Sequence, residues 1–258
     1  MISNLFTFLH DTLVIAKRNL TRVWRTPQLL FFSAFQPVMF LLLFNYVFGG
    51  AVSGSTEGSS YIVFLLPGIL AQTALFGSAQ TGVGMAEDLG KGVVDRFLSL
   101  PISRGSIVAG RTLADACRNI IVVLIMTGVG MGLGFKFEQG ILHALAAIGL
   151  VVLFGFAFSW ISLTIGLAVK DSETAQVAGF VWIFPLVFAS SVFVPVQTMP
   201  AWLQKFADNQ PVTHVVNAVR YLSTGNADSS AVLYTLIWVI AIVAVFSPIA
   251  SRLFKRAV

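Results

Sequence analysis

The stretch ILHALAAIGLVVLFGFAFSWISLTIGLAV, residues 141–169, runs 29 residues without an Asp, Glu, Lys or Arg. About 20 apolar residues in a helix cross the roughly 30 Å hydrocarbon core of a bilayer. A charge at the centre of such a helix costs about 2.5 to 3.5 kcal/mol, so long gaps between charges mark crossings. Outward from residues 141–169, five more gaps appear, at 26–56, 58–86, 119–135, 174–204 and 229–251. Hydropathy trims the six spans to Leu29–Phe48, Tyr61–Thr81, Ile107–Phe135 with a cytoplasmic first part, Ile141–Val169, Gln176–Val196 and Ala231–Leu253. The expected fold is an all-α polytopic membrane protein in which residues 1–258 form a single transmembrane domain.

Composition supports a lipid-facing chain. Of 258 residues, 57% are hydrophobic and 10% charged, against about 25% charged in soluble domains. That excludes a soluble globule, a disordered chain and, with Cys117 as the single cysteine, a disulfide-stapled module. All Lys and Arg except Lys136, Lys205 and Arg220 fall on one side of the six spans, which makes that side cytoplasmic. Both termini and residues 85–118 are therefore expected inside, and residues 49–60, 136–140 and 194–228 outside. The net charge of +5 follows from this topology, and no nucleic-acid partner is needed to explain it. The first apolar run begins at Leu29, is long enough to span and lacks a small-residue cleavage site, so it is expected to be retained.

Before that run, Ile2, Leu5, Phe6, Leu9, Leu13, Ala16, Leu20 and Val23 recur at helical spacing. Asn4, Thr7, Asp11, Arg18, Arg22 and Arg25 fall on the opposite, wet face. Residues 1–27 read as an amphipathic interfacial helix ending at Pro27. An anchor and a gate are both consistent with it.

No stretch matches the Gly-x-x-x-x-Gly-Lys-Ser/Thr phosphate cradle. The near miss, Gly84 to Lys91, has five residues between its glycines, and Gly92 stands where a hydroxyl is required. No nucleotide-binding domain, catalytic residue, cofactor or metal site is therefore expected, and any ATP is bound by a partner subunit. The charge-free gaps argue against a proton relay. His10, His143 and His214 lie far apart without ligand spacing, and neither a Gly-x-Ser-x-Gly elbow nor a His-Glu-x-x-His helix occurs.

Two connections are too patterned for free loops. In residues 85–106, Val93, Val94, Phe97, Leu98 and Leu100 form an apolar surface flanked by Glu87, Asp88, Lys91, Asp95 and Arg96, and Pro101 ends the helix. Such a helix can lie on lipid or fill a groove on a soluble partner. In residues 194–228, Pro195, Pro200 and Pro211 punctuate helical stretches at 201–207 and 212–222. Trp202, Phe206, Val215, Val219 and Leu222 are expected to dip into the outer leaflet while Lys205, Asp208, Arg220 and Tyr221 stay wet. The segment is either re-entrant or a pair of surface helices.

The residues Leu100-Pro101-Ile102-Ser103, Val194-Pro195, Met199-Pro200-Ala201-Trp202-Leu203, Gln210-Pro211-Val212-Thr213 and Arg220 to Gly225 carry a resemblance. The chain resembles an ABC type-2 transporter permease, more narrowly the daunorubicin resistance group of bacterial efflux permeases, over nearly its whole length. Gln210 stands where Asn is most usual in that family. The resemblance implies a pore of two permeases, homodimeric or heterodimeric, and two cytoplasmic ABC ATPase subunits, in the bacterial plasma membrane. It implies a coupling helix within residues 87–101, with Glu87, Asp88, Val94, Arg96, Phe97, Leu98 and Pro101 at the ATPase, Val94, Phe97 and Leu98 filling its groove. It also implies outer re-entrant helices between spans 5 and 6, carried by Pro195, Pro200, Trp202, Pro211 and Arg220. The implied substrates are amphiphilic drugs, lipids or glycolipids, exported along an all-apolar pathway. The alternative is a membrane assembly or channel subunit without its own energy coupling; a secondary transporter ranks third.

Overall fold

Apolar runs without interior turn signals become helices, and the computed structural model is helical in every regular element among the residues it describes, 2–49, 61–225 and 227–257. The expected external connection at 50–60 and the side chains of residues 2–6 and 22–24 lie outside the described set. In chain order the helices are α1 (Ile2–Arg25), α2 (Pro27–Leu43), α3 (Tyr61–Gly90), α4 (Val93–Leu98), α5 (Arg104–Gly132), α6 (Ile141–Val169), α7 (Ser172–Phe188), α8 (Ala201–Asn209), α9 (Pro211–Thr224) and α10 (Ser230–Ala257).

Four of them, α3, α5, α6 and α10, are long and apolar enough to cross a membrane. The other two expected spans are shorter. α2 and α7 have 17 residues each, about 26 Å of helix, and α2 continues as a π-turn over Phe44–Phe48. α3 runs to Gly90, beyond the Thr81 expected from hydropathy, because nothing between those residues breaks a helix. α7 stops at Phe188 instead of Val196. Ala189 N donates to Pro185 O at 2.9 Å, and the chain then leaves helical geometry.

α3 is the central helix, packed by α6, α7, α5 and α9. In lipid there is little hydrophobic force between helices, so close packing through small residues decides their association. α3 and α6 meet at such a point. A Cβ on Gly82 would lie 2.1 Å from Ser162 O, and one on Gly166 would lie 2.1 Å from Gly82 O. Only hydrogen fits at either position. α6 then turns directly into α7. Lys170 takes a left-handed φ of 58°, and the Asp171 carboxylate caps α7 by accepting from Thr174 N at 2.8 Å.

α1 lies along α5. Thr12, Ile15 and Ala16 are buried, and Ile15 rests where a Cβ on Gly110 would be 2.8 Å away. Leu9 and Leu13 point out at 51% and 62% exposure. Asp11, expected on the wet face, is buried instead. Its Oδ2 accepts from Ser103 N at 3.2 Å, beside the start of α5, where the helix dipole favours a carboxylate.

The segment after α7 also departs from expectation. α9 is inserted among α3, α6 and α10, so Val215, Val219 and Leu222 are buried by protein rather than dipped into lipid. Trp202 and Phe206 of α8 do stay on the surface. Two Pro residues start the helices here. Pro200 precedes α8, and Pro211 occupies the first turn of α9, where no N–H is missed.

Candidate functional site

Sequence periodicity places Gln72, Phe76 and Gln80 four residues apart on one face of α3. Gln36 and Phe40 of α2, Asn119 of α5 and Gln176 and Phe180 of α7 converge on the same face and enclose a cavity of about 100 Å³. Phe76 and Phe180 approach with ring centroids 5.6 Å apart. Gln72 is 3% exposed, and its Oε1 accepts no hydrogen bond from protein. Asn119 reaches the cavity across Gly77, where a Cβ would collide with Asn119 Oδ1. A wall of amides and aromatic rings can hold a polar group of a ligand while its apolar body stacks on Phe. An all-apolar pathway was expected from the charge-free gaps. The gaps contain no charges, yet their amides gather on one side of α2, α3, α5 and α7.

Below the cavity runs a chain of ion pairs. Asp88 at the end of α3 pairs with Arg111 Nη1, Arg111 Nε lies 3.8 Å from Asp115, and Asp115 Oδ1 lies 3.4 Å from Arg118 Nη1. Arg118 then donates from Nη2 to Gly77 O at 2.9 Å and lines the cavity wall. Arg111, Asp115 and Arg118 are spaced i, i+4, i+7 on α5, so one helix face carries all three. Two carboxylates and two guanidinium groups balance in charge, so each of these largely buried ions has an opposite charge beside it. The chain connects the α4 end of α3 with the cavity. Charge counting places Arg111 and Arg118 only on the cytoplasmic side and passes over Asp115; the i, i+4, i+7 spacing of opposite charges is the available signal.

The residues expected at an ATPase are divided by the structure between two directions. Val94 is 1% exposed and packs with Ile15, Met85, Ile107, Leu167 and Phe254 of its own chain. Phe97 and Leu98 are half-buried against the same cluster, and the Arg18 guanidinium sits 4.6 Å from the Phe97 ring centroid. Glu87 pairs with Lys91 at 2.5 Å, and Asp88 with Arg111. Arg96 and Pro101 are exposed, as are Asp95, Ser99 and Leu100.

At the opposite end, Arg220 closes the break after α7. It was expected to stay wet, but the guanidinium is turned into the protein. Nη2 donates to Phe64 O at 2.9 Å and to Ser191 O at 2.7 Å, Nε donates to Phe64 O at 3.2 Å, and Nη1 donates to Asn217 Oδ1 at 3.2 Å. The charge also lies 3.7 Å over the Phe64 ring. Pro67 follows one turn later, and a proline within a helix frees nearby carbonyls for other donors. The five planar donors of Arg suit this task; the point charge of Lys does not. Three further backbone groups of the break bond to side chains. Gln210 Nε2 donates to Ala189 O, Ser191 N donates to Thr213 Oγ1 at 3.3 Å, and Tyr61 Oη donates to Phe193 O at 3.0 Å. Pro195 is half-buried, Pro200 exposed and Pro211 buried, while Trp202 is 74% exposed. These bonds pair several groups of the non-helical backbone between Ala189 and Phe193 inside the protein.

No three His, Cys, Asp or Glu converge to hold a metal ion among the described residues.

Comparison with known proteins adds an independent line. Residues 10–223 match the family described as ABC-2 type transporter. The chain is 35% identical over 244 residues to the daunorubicin resistance ABC transporter permease protein DrrB1 of Streptomyces coeruleorubidus, covering 92% of this chain and 86% of that protein. It is 29% identical over 251 residues to the probable doxorubicin resistance ABC transporter permease protein DrrC of Mycobacterium tuberculosis, covering 97% and 90%. A putative transport permease ycf38 of Porphyra purpurea is 26% identical over 222 residues, covering 84% and 75%.

Proposed function

The chain belongs to the ABC-2 type transporter family, and from that premise we propose that it exports amphiphilic drugs, lipids or glycolipids from the cytoplasm or inner leaflet of a bacterial plasma membrane. It is a multi-pass transmembrane permease subunit, and ATP hydrolysis in this family resides in separate partner chains. Both termini and α4 lie on the cytoplasmic side in this reading, and α8 and α9 form the outer re-entrant pair.

The observation that carries the substrate reading is the cavity among α2, α3, α5 and α7. Its amides offer donors and acceptors to a polar group, its Phe rings offer stacking surface, and it opens within the apolar body of the chain. The resistance named in the first two relatives supports a planar, hydroxylated aromatic drug as one such amphiphile. A second permease covers the exposed apolar faces of α2 and α7, at Phe35, Val177 and Val181. The ATPase seats on the exposed side of α4 and the turn after it, through Arg96, Leu100 and Pro101.

Inside-out vesicles containing the chain and a cassette ATPase test the reading. Doxorubicin uptake should require ATP, and Gln72→Leu should lower uptake at least tenfold while the complex still copurifies. Uptake that continues without ATP hydrolysis, or that is indifferent to Gln72→Leu and Asn119→Leu together, would overturn it.

A further inference from the structure

A second concavity lies apart from the cavity and the ion pairs. It is an apolar groove of about 490 Å³ bounded by α6, α7 and α10 and closed at one end by α8 and the start of α9. Its walls are Phe158, Ile161, Leu186, Trp238, Ile242 and Phe246, with Trp182 between them. α10 is the most exposed of the long apolar helices, with 17% of its apolar window buried, so the groove opens toward the hydrocarbon of the bilayer. A helix 10–12 Å across would fill 490 Å³ within about one turn, so the slot is too small for a transmembrane segment of a partner. A flexible hydrocarbon chain fits it.

The polar end of the groove has one sign. Lys205 lines it from α8, is exposed, and pairs with no carboxylate among the described residues. Gln210 and Pro211 line the same end, so the first turn of α9 adds its partial positive charge there. No acidic side chain lines the groove. An apolar slot with a cation at its mouth is complementary to a molecule with a hydrocarbon tail and an anionic head at interfacial depth.

We propose that the groove is a resident lipid site, holding an acyl chain of an anionic phospholipid from the leaflet that contains α8, with its phosphate on Lys205. The lipid wedges α10 and α7 apart and supports α8 from below. It is distinct from the transported molecule, because it lies across α6 and α7 from the amide-lined cavity.

Two tryptophans in the groove wall report on its occupant. The full chain is placed in nanodiscs of phosphatidylcholine doped with phosphatidylglycerol or phosphatidylcholine carrying brominated acyl chains, which quench indole fluorescence on contact. One interfacial cation weights an anionic lipid by about fivefold, so half-maximal quenching should need about fivefold less brominated phosphatidylglycerol than brominated phosphatidylcholine. Lys205→Gln, at an exposed position, should erase that preference. Trp182→Phe with Trp238→Phe should remove the part that depends on Lys205 and leave the quenching of the other three tryptophans, Trp24, Trp160 and Trp202. Equal quenching by both headgroups in the unaltered chain means ordinary surrounding lipid and overturns the proposal. So does a preference that survives Lys205→Gln or the double tryptophan variant, and so does an absence of quenching at the two groove tryptophans.

Discussion

Replacing Arg220 tests whether the break after α7 is held by one side chain. Arg220→Met keeps the length of the apolar stem and removes every donor. Phe64 O and Ser191 O then lose three bonds of 2.7–3.2 Å. A buried acceptor left bare costs about 1–3 kcal/mol, so two cost about 2–6 kcal/mol. Double-mutant cycles within membranes give a lower figure, about 0.6 kcal/mol per hydrogen bond, because the unassembled chain finds other partners there. Three bonds at that weight still total about 2 kcal/mol, and the two routes agree on that lower bound. For a chain of 150–250 residues each kcal/mol moves Tm by about 2–4 °C, so Arg220→Met should lower Tm by at least about 4 °C. Arg220→Lys retains the charge but presents a compact ammonium in place of a planar fork, so it should fall between the two. The assay is the fraction of monodisperse chain left in detergent after graded heating, read by size exclusion. A shift under 1 °C for Arg220→Met would mean that water satisfies both carbonyls, and an Arg220→Lys variant equal to wild type would mean that charge alone matters. Either result refutes the clamp.

The crossing of α3 and α6 predicts a sharp contrast between two glycines. Gly166→Ala puts a methyl group 2.1 Å from Gly82 O and should sharply reduce the folded fraction after extraction, whereas Gly179→Ala, whose nearest neighbour would be Ala79 Cβ at 3.5 Å, should match wild type. At the cytoplasmic end, Val94→Ala deletes two buried methyl-sized groups and should cost about 2 kcal/mol of stability without weakening ATPase capture by the folded fraction. Leu100→Asp should do the reverse, abolishing copurification of the ATPase at unchanged Tm, since Leu100 is 53% exposed.

Much of the fold was legible because charge is expensive in hydrocarbon. Each of the six expected spans overlaps a helix, four of them long and apolar enough to cross a membrane, and α6 begins and ends at the expected Ile141 and Val169. The interruptions were legible as well, since Pro101, Pro200 and Pro211 each fall at a helix boundary. What hydropathy does not register is a polar group that finds its partner inside the protein. Arg220 looked wet because it is a charged residue in a segment outside the charge-free gaps, and the carbonyls that claim it belong to residues 156 and 29 positions away. The same blindness explains α7, whose early end at Phe188 depends on Gly68, Arg220 and Gln210 receiving the non-helical backbone. The amide face of α3 was available in principle, because Gln72 and Gln80 are two helical turns apart. A search for charges alone passes over neutral hydrogen-bonding groups.

The burial of Val94 changes how force can enter the chain. If Val94, Phe97 and Leu98 filled a groove on the ATPase, α4 would be a free peg, and its motion would reach α3 only through the turn at Lys91 and Gly92. In the structure Val94 belongs to a cluster that includes Ile15 of α1, Ile107 of α5, Leu167 of α6 and Phe254 of α10. α4 is therefore packed into the chain's own base, and under the proposed seating of an ATPase on its exposed side a push there would bear on every helix of that cluster. Packed interiors transmit displacement because they have little free volume to absorb it. The ion-pair chain then gives that displacement a direction. It starts at Asp88, immediately before the turn into α4, and ends at Arg118 in the cavity wall, so movement of the base relative to α5 must either carry Arg118 with it or separate a buried charge from its partner. The second course is the costly one in a low-dielectric setting, and movement of the cavity wall is the outcome that physics favours.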